Sequence, residues 1–347
     1  MKTKALYITA LLGLMLSFSG HATLAGKNVV LVHGFQNGDL PNPPSVSQQR
    51  QNANEYWSDY WLSRAEAVLY WSSADRVTGS IKDSIRTQIK QLEAARTCAA
   101  GCVFVTHSTG DLVTRDALTR LGQWGVNSND FRVLTVLDIA GAGGGTELAD
   151  VAYNVAVGSG VINSLQRAAV DLVLGFSPNQ NNIGVLNDLR PAVARSTALS
   201  SNSTPRLRFV GAGDQYLRVT KGFIKGYDDS VVPFHSACGS RVSGDYESCN
   251  RSIRTNGQLK SSRAPSSFYP YHYPVLMGDD TDHSEAINNS RSGDFATITN
   301  DRTFGGIRVD FNDHTERKWW SWWTKVRLVR NGSSKSMSAN IYDTLNN

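Results

Sequence analysis

Apolar and polar positions along the chain follow two alternating rhythms. Asn28 to Val32 is a short, continuous, β-rich run that closes on His33, Gly34 and Phe35, and it reads as a buried strand. A polar, proline-bearing stretch from Gln36 to Asn54 reads as a loop, and Glu66 to Trp71 as a second strand. Ile81, Ile85, Ile89 and Leu92 then recur at helical spacing, predicting an amphipathic helix that ends near Arg96. A strand at Val103 to Val105, a helix from about Asp111 to Gly122 and a strand from Val133 to Ile139 follow. Strands alternating with helices in this way imply a parallel sheet covered on both faces. Such sheets place ligands at the carboxyl ends of their strands, where Phe35 and Ser108 lie.

Gly141, Gly143, Gly144 and Gly145 break the rhythm. Thr146 to Leu174 resumes as a weakly charged segment rich in Val, Ala and Leu, which reads either as a buried helix pair or as a mobile cap with an apolar underside. Arg206 to Val210 returns to strand, and the Ser-, Gly-, Asn- and Arg-rich stretch from Ser236 to Pro265 reads as a solvated loop. Near the C-terminus, a helix from Glu316 to Arg330 would put Trp319, Trp322, Trp323 and Val326 on one face. That face would pack on the sheet or, with Arg317, Lys318, Lys325 and Arg327 interleaved, sit at a lipid surface.

Composition narrows the setting. Lys2 and Lys4 precede an apolar run from Ala5 to Phe18, with small residues leading to Ala25, so residues 1–25 read as a secretory signal peptide; a cut near Ala22 is the alternative. The run falls short of the roughly 20 residues that span a bilayer, and no later stretch is long and apolar enough. The expectation is a secreted or periplasmic protein of about 320 residues after cleavage. The formal charge of +5 includes Lys2 and Lys4 and forms no nucleic-acid stripe. Four cysteines form two close pairs, Cys98 with Cys102 and Cys238 with Cys249; export favours two local disulfides over zinc, since neither pair has CxxC spacing.

Thr106, His107, Ser108, Thr109 and Gly110 carry the chemistry. A buried strand that stops at a serine between small residues, with a helix following, builds a sharp turn that holds the hydroxyl clear of the sheet. Small residues two before and two after the serine are a steric need, because strand and helix nearly touch; Gly110 meets it and Thr106 departs from it. A serine needs a histidine to take its proton and a carboxylate to orient that histidine. Asp228 and Asp229 stand on a tight turn, Gly226 to Pro233, after the Arg206 strand. His283 follows Asp279, Asp280 and Asp282 on a polar loop. His33 more naturally orients its own loop, His107 adjoins the serine and should point away from it, and His235 follows the acids too closely. His272 and His314 have no second cue.

Together, Val32 to Phe35, Thr106 to Gly110, Asp229 to Pro233, Asp282 with His283 and, more weakly, Gly145 to Asp150 resemble the motifs of secreted bacterial lipases and esterases of the α/β-hydrolase superfamily. They span about Asn28 to Asn289 in the family's order. The resemblance implies an α/β-hydrolase fold, with a mostly parallel central sheet, helices on both faces and a helical cap or lid insertion. The expected organisation is one domain over 26–347, with 141–200 a cap-like insertion and 300–347 a Trp-rich extension that the resemblance does not reach. It implies Ser108 as nucleophile, His283 as general base and acid, and Asp229 as the orienting carboxylate, with Asp228 the rival. The backbone N–H groups of Phe35 and Thr109 would form the oxyanion hole. Three departures stand out: Thr106 for glycine, Asp111 for a small residue, and Ala142, Gly143 where many lipases have Pro, His. The first two are expected to tighten the turn. Some members hold a structural calcium beside the histidine, for which Glu285 and Asn289 are placed. No cofactor is otherwise required.

These readings converge on a serine carboxylic ester hydrolase acting on hydrophobic esters or lipids, with transient contact at a lipid interface. An acyltransferase, phospholipase or polyester hydrolase would use the same triad, and an exported peptidase or amidase also fits it. A non-catalytic binding protein on this scaffold predicts a missing triad member, and none is missing.

Overall fold

The computed structural model describes residues 23–158, 164–197, 203–214, 219–251, 269–276, 281–289, 295–297, 302–309, 313–329 and 336–346. Its first strand, β1 (Asn28–Val32), shows how the core is made. Val30 and Val32 point into one apolar core while Val29 and Leu31 point into another on the opposite face. A strand with both faces covered must be apolar throughout, and the continuous run supplies this. After helix α1 (Val46–Tyr56), strand β2 (Ala67–Leu69) and helix α2 (Lys82–Ala94), strand β3 (Cys98–His107) repeats the division. Phe104 joins the first core, and Val103 and Val105 the second.

Helix α3 (Gly110–Arg120), strand β4 (Phe131–Ile139), helices α4 (Glu147–Val157), α5 (Ser164–Leu174) and α6 (Pro191–Thr197), and strand β5 (Arg206–Val210) follow. The remaining elements are a short helix α7 (Phe234–Ala237), strands β6 (His272–Leu276), β7 (Phe295–Thr297), β8 (Arg302–Phe304), β9 (Ile307–Val309), β10 (Asp313–Lys318) and β11 (Ser321–Val329), and helix α8 (Met337–Thr344). The main sheet runs β10-β11-β7-β6-β5-β4-β3-β1-β2. The six strands from β6 to β2 are parallel; β7, β11 and β10 extend the sheet antiparallel. From β1 the chain steps to one side for β2 and to the other for β3, so the order reverses between β1 and β3. A crevice opens at the carboxyl ends of strands at such a reversal. Ile85 and Ile89 of α2 and Leu112 and Val113 of α3 pack in the first core. Met337 and Ile341 of α8 pack in the second beside Trp57 and Trp61. This is an α/β-hydrolase fold.

Two expectations are corrected. The stretch from Gln36 to Asn54 is not all loop: α1 starts at Val46, and its signal is a capping box in which Ser45 accepts from the Gln48 N–H while the Gln48 side chain accepts from the Ser45 N–H. Glu316 to Arg330 is not a helix. It folds as the antiparallel β10–β11 hairpin, because the alternation of Lys325 and Arg327 with Val326 and Leu328 is a period of two, and aromatic and β-branched residues favour strand. The helix that packs on the sheet is α8, further along. Of the expected signal peptide 1–25, residues 1–22 lie outside the described residues, as do Asp279 and Asp280. Cys98 is bonded to Cys102 and Cys238 to Cys249, as the pairing predicts.

Candidate active site

β3 delivers Ser108 into a left-handed turn at φ 54°, a conformation that costs a non-glycine residue about 1–2 kcal/mol. Three backbone hydrogen bonds hold it there. The Ser108 N–H donates to the Ile139 carbonyl (3.2 Å), and the Ser108 carbonyl accepts from Ala142 (2.8 Å) and Asp111 (3.1 Å). Two glycines are required by close approach. A Cβ at Gly110 would press on the carbonyls of Val32 and His33, and one at Gly34 would come 2.7 Å from the Ser108 Cβ. The loop after β1 therefore lies directly against the serine turn. Phe35 and Thr109 flank Ser108, and among the described residues neither of their N–H groups donates to a protein acceptor.

The acid and the histidine meet on this edge. His283 Nδ1 lies 2.8 Å from Asp229 Oδ2, and the other carboxylate oxygen accepts from the N–H groups of Val232 (2.7 Å) and Val231 (3.1 Å). The His283 N–H also donates to the Asp229 carbonyl (3.1 Å), so backbone and side chain fix the pair together. Asp228 is differently employed: it accepts from the Ser230 N–H (2.8 Å), and burial pushes its carboxyl up to about 6 despite that bond. Ser108 and His283 line one groove of about 370 Å³, together with Phe35, Tyr56 and His107. Ser108 also borders an apolar pouch of about 50 Å³, walled by α4 and α5 through Ala149, Ala152, Val170 and Val173.

His107 does not simply turn outward. Its Nε2 lies 3.0 Å from the His283 carbonyl, and its Nδ1 is hydrogen-bonded to the Tyr56 hydroxyl. Burial, aided by the neighbouring His283, holds its pKa well below the ordinary range. The neutral ring therefore donates from Nε2 and accepts at Nδ1 from Tyr56. Burial keeps the Tyr56 hydroxyl protonated, and that hydroxyl lies against Gly34, where an added Cβ would collide with it. A relay thus runs from Tyr56, packed against the loop after β1, through His107 to the loop bearing His283. His33 orients its own loop: Nδ1 donates to the Gly34 carbonyl (2.7 Å), Nε2 accepts from the Trp71 N–H (3.3 Å), and the ring stacks on Trp71.

The departures have a common cause beneath the serine turn. Thr106 donates to Asp138 (2.8 Å), and Asp138 pairs with Arg208 (2.9 Å). Arg208 also reaches Asp111 (2.8 Å), which pairs with Arg206 (3.0 Å) and accepts from the Gly143 N–H (2.9 Å). Arg115 caps the Gly143 carbonyl (2.8 Å), and a Cβ at Gly143 would collide with Asp111 and Arg115. Thr106, Asp111 and Gly143 are therefore members of one buried polar layer, and none acts by tightening the turn alone. Burial would raise the Asp111 carboxyl, but Arg208, Arg206 and Arg115 outweigh it and hold it at about 2. Burial lifts Asp138 to about 7 against the pull of Arg208. The sequence signal for this layer was arginine at alternate positions of an otherwise apolar strand, Arg206 and Arg208. Tyr56 and the Glu147–His235 pair (2.6 Å) carried no signal, since each depends on residues distant in sequence.

The residues named for calcium are engaged with protein partners. Asn289 donates to the Asp59 carbonyl and accepts from Ser336 (3.1 Å), while Glu285 turns to the Asp282 N–H. Among the described residues no group of three or more His, Cys, Asp or Glu side chains is arranged to hold an ion. No described helix is long and apolar enough to cross a membrane.

The fold and this edge define the class: an α/β hydrolase scaffold carrying a serine turn, a histidine and a carboxylate. The structure is similar to the mature form of the Bacillus licheniformis lipase BlEst2, at 15% identity and a TM-score of 0.47, over 77% of this chain and 89% of that one. It is also similar to the metagenomic carboxyl esterase MGS0156, at 17% identity and a TM-score of 0.38, over 76% and 66% of the two chains. Phospholipase PlaB from Legionella pneumophila aligns at 16% identity and a TM-score of 0.37, over 61% of this chain and 45% of that one. No family model matches the chain, and no curated protein matches its sequence.

Proposed function

We propose that the protein is an exported serine hydrolase of carboxylic esters with a short apolar acyl group. The observation that carries this is the hydrogen bond between His283 Nδ1 and Asp229 on the groove that Ser108 also lines. Asp229 fixes the tautomer that leaves Nε2 free to accept a proton. Ser108 Oγ attacks the ester carbonyl as its proton passes to His283 Nε2. The oxygen that becomes negative is met by the N–H groups of Phe35 and Thr109, each such donor lowering the barrier by about 3 kcal/mol. His283 then protonates the departing alcohol, leaving an acyl group on Ser108. Water, deprotonated by His283, attacks that acyl-enzyme and releases the acid. No cofactor takes part in these steps.

The apolar pouch is the natural seat of the acyl chain, and its small volume favours short ones. Residues 141–200, with α4 and α5, act as the cap, and longer chains require those helices to move. Export is supported by the basic and apolar N-terminal residues and by two disulfides, which persist in oxidising compartments.

The test is hydrolysis of p-nitrophenyl esters of graded chain length by the wild type, Ser108→Ala and His283→Ala, with fluorophosphonate labelling. The wild type is expected to cleave short esters and take up the label, and both variants to lose cleavage. A wild type that does neither refutes the proposal, and activity surviving Ser108→Ala refutes the choice of nucleophile.

A further inference from the structure

The β10–β11 hairpin carries a feature that the ester chemistry does not use. Trp319 and Trp320 form its turn and Trp323 follows, and these side chains are 90%, 58% and 88% exposed. Large aromatic side chains left in water at this level are costly unless something covers them. From 317 to 329 the sequence contains Arg317, Lys318, Lys325 and Arg327 and no acid. In the hairpin register Arg317 stands opposite Lys325, which puts two basic residues at one ladder position. Such an arrangement repels a second copy of itself and suits a negatively charged surface.

The topology fixes where this tip points. Among the described residues β11 pairs with β7 at Leu328 and Val329, and from Lys325 to Val329 it pairs with β10 on its other side. β7 is antiparallel to both β6 and β11, so β11 runs parallel to β6. The turn at Trp319 and Trp320 therefore lies at the amino-terminal edge of the parallel strands, away from the edge that carries Ser108 and His283.

We propose that the Trp319–Trp323 hairpin tip docks on an anionic lipid surface and anchors the protein by the edge opposite its catalytic groove. Indole rings settle at the headgroup level, and basic residues beside them are drawn by anionic lipid. This is unlike an interfacial lid: the groove stays turned to the aqueous side while the protein is bound. The inference goes beyond the ester-hydrolase reading and does not depend on it.

The experiment is co-sedimentation of the purified protein with vesicles of phosphatidylglycerol and phosphatidylcholine, and of phosphatidylcholine alone. Binding to the anionic vesicles is expected, weakened by molar salt, which shortens electrostatic range. The triple variant Trp319→Ala, Trp320→Ala, Trp323→Ala is expected to lose roughly tenfold or more in partitioning, with its thermal unfolding unchanged. Lys318→Glu with Lys325→Glu is expected to weaken anionic binding while leaving every tryptophan in place. Ser108→Ala is expected to bind as the wild type does, which separates anchoring from hydrolysis. No binding to either vesicle, undiminished binding by the triple variant, or retention on an insoluble polysaccharide instead of vesicles overturns the proposal.

Discussion

Replacing Tyr56 with phenylalanine removes one oxygen and tests the relay beside the groove. The ring stays, with its tilted contacts to His33 and His107 and its edge contact to Trp57. His107 Nδ1 loses its donor, and the space against Gly34 loses the oxygen that fills it. The site is buried, and an unsatisfied polar group there costs about 1–3 kcal/mol, so the variant should lose about that much unfolding free energy. Activity should fall as well. Gly34 precedes Phe35, the proposed oxyanion donor, and His107 steadies the backbone of His283, the proposed base, so slack beside either misplaces a group the proposed chemistry needs. A loss of about tenfold to a hundredfold in kcat is expected, with KM little changed because the ring still lines the groove. Urea unfolding and steady-state hydrolysis of a short p-nitrophenyl ester measure the two effects. A Tyr56→Phe protein within about 0.5 kcal/mol of wild type and equally active would refute the relay.

Asp229→Asn should lower kcat by about 10⁴ through loss of the tautomer-fixing carboxylate, whereas Asp228→Asn should stay within a few-fold; the reverse order would reassign the acid. His33 is held neutral by burial, its pKa lowered to about 4 from 6.5, so the unfolded chain takes up this proton first as pH falls. Stability is complete above pH 6.5 and declines between 6.5 and 4, by about 3 kcal/mol from this group. Urea midpoints across that window should fall less steeply for His33→Gln, and an unchanged slope would exclude His33 as the cause. Ala149→Leu, which fills the pouch, should reduce butyryl relative to acetyl ester cleavage by about tenfold, since one methylene of pocket space has an effect of that order. N-terminal sequencing of the exported protein should begin at Thr23, because Leu24 is fully buried and the Thr23 carbonyl accepts from Tyr342 (2.9 Å); a start at Gly26 would contradict this.

What the sequence disclosed depended on the range over which each pattern is written. β1, β3 and β4 were legible because continuous apolar runs answer to burial on both faces, and the serine turn because its steric needs fall within five residues. Thr106, Asp111 and Gly143 looked like separate departures, since the arginines that unite them arrive about a hundred residues later in β5. The tryptophan hairpin was misread because Trp319, Trp322 and Trp323 satisfy helical spacing as readily as they decorate a strand, and the pairing that decides between them is not local. β6 escaped notice because it is short and holds a proline.

Helix α8 closes the second core long after the strands it covers have been made. Met337, Ile341 and Leu345 pack there with Leu24 and Val29, and the Ala25 N–H donates to Asn346 (2.7 Å), so the earliest and latest described residues are stitched together. A chain made from its amino end cannot seal this face while it is still being synthesised; Trp57, Trp61 and the outer side of β1 wait for residues made nearly three hundred positions later. The nascent protein therefore carries an open apolar surface until α8 has been made, a state that a chaperone would recognise.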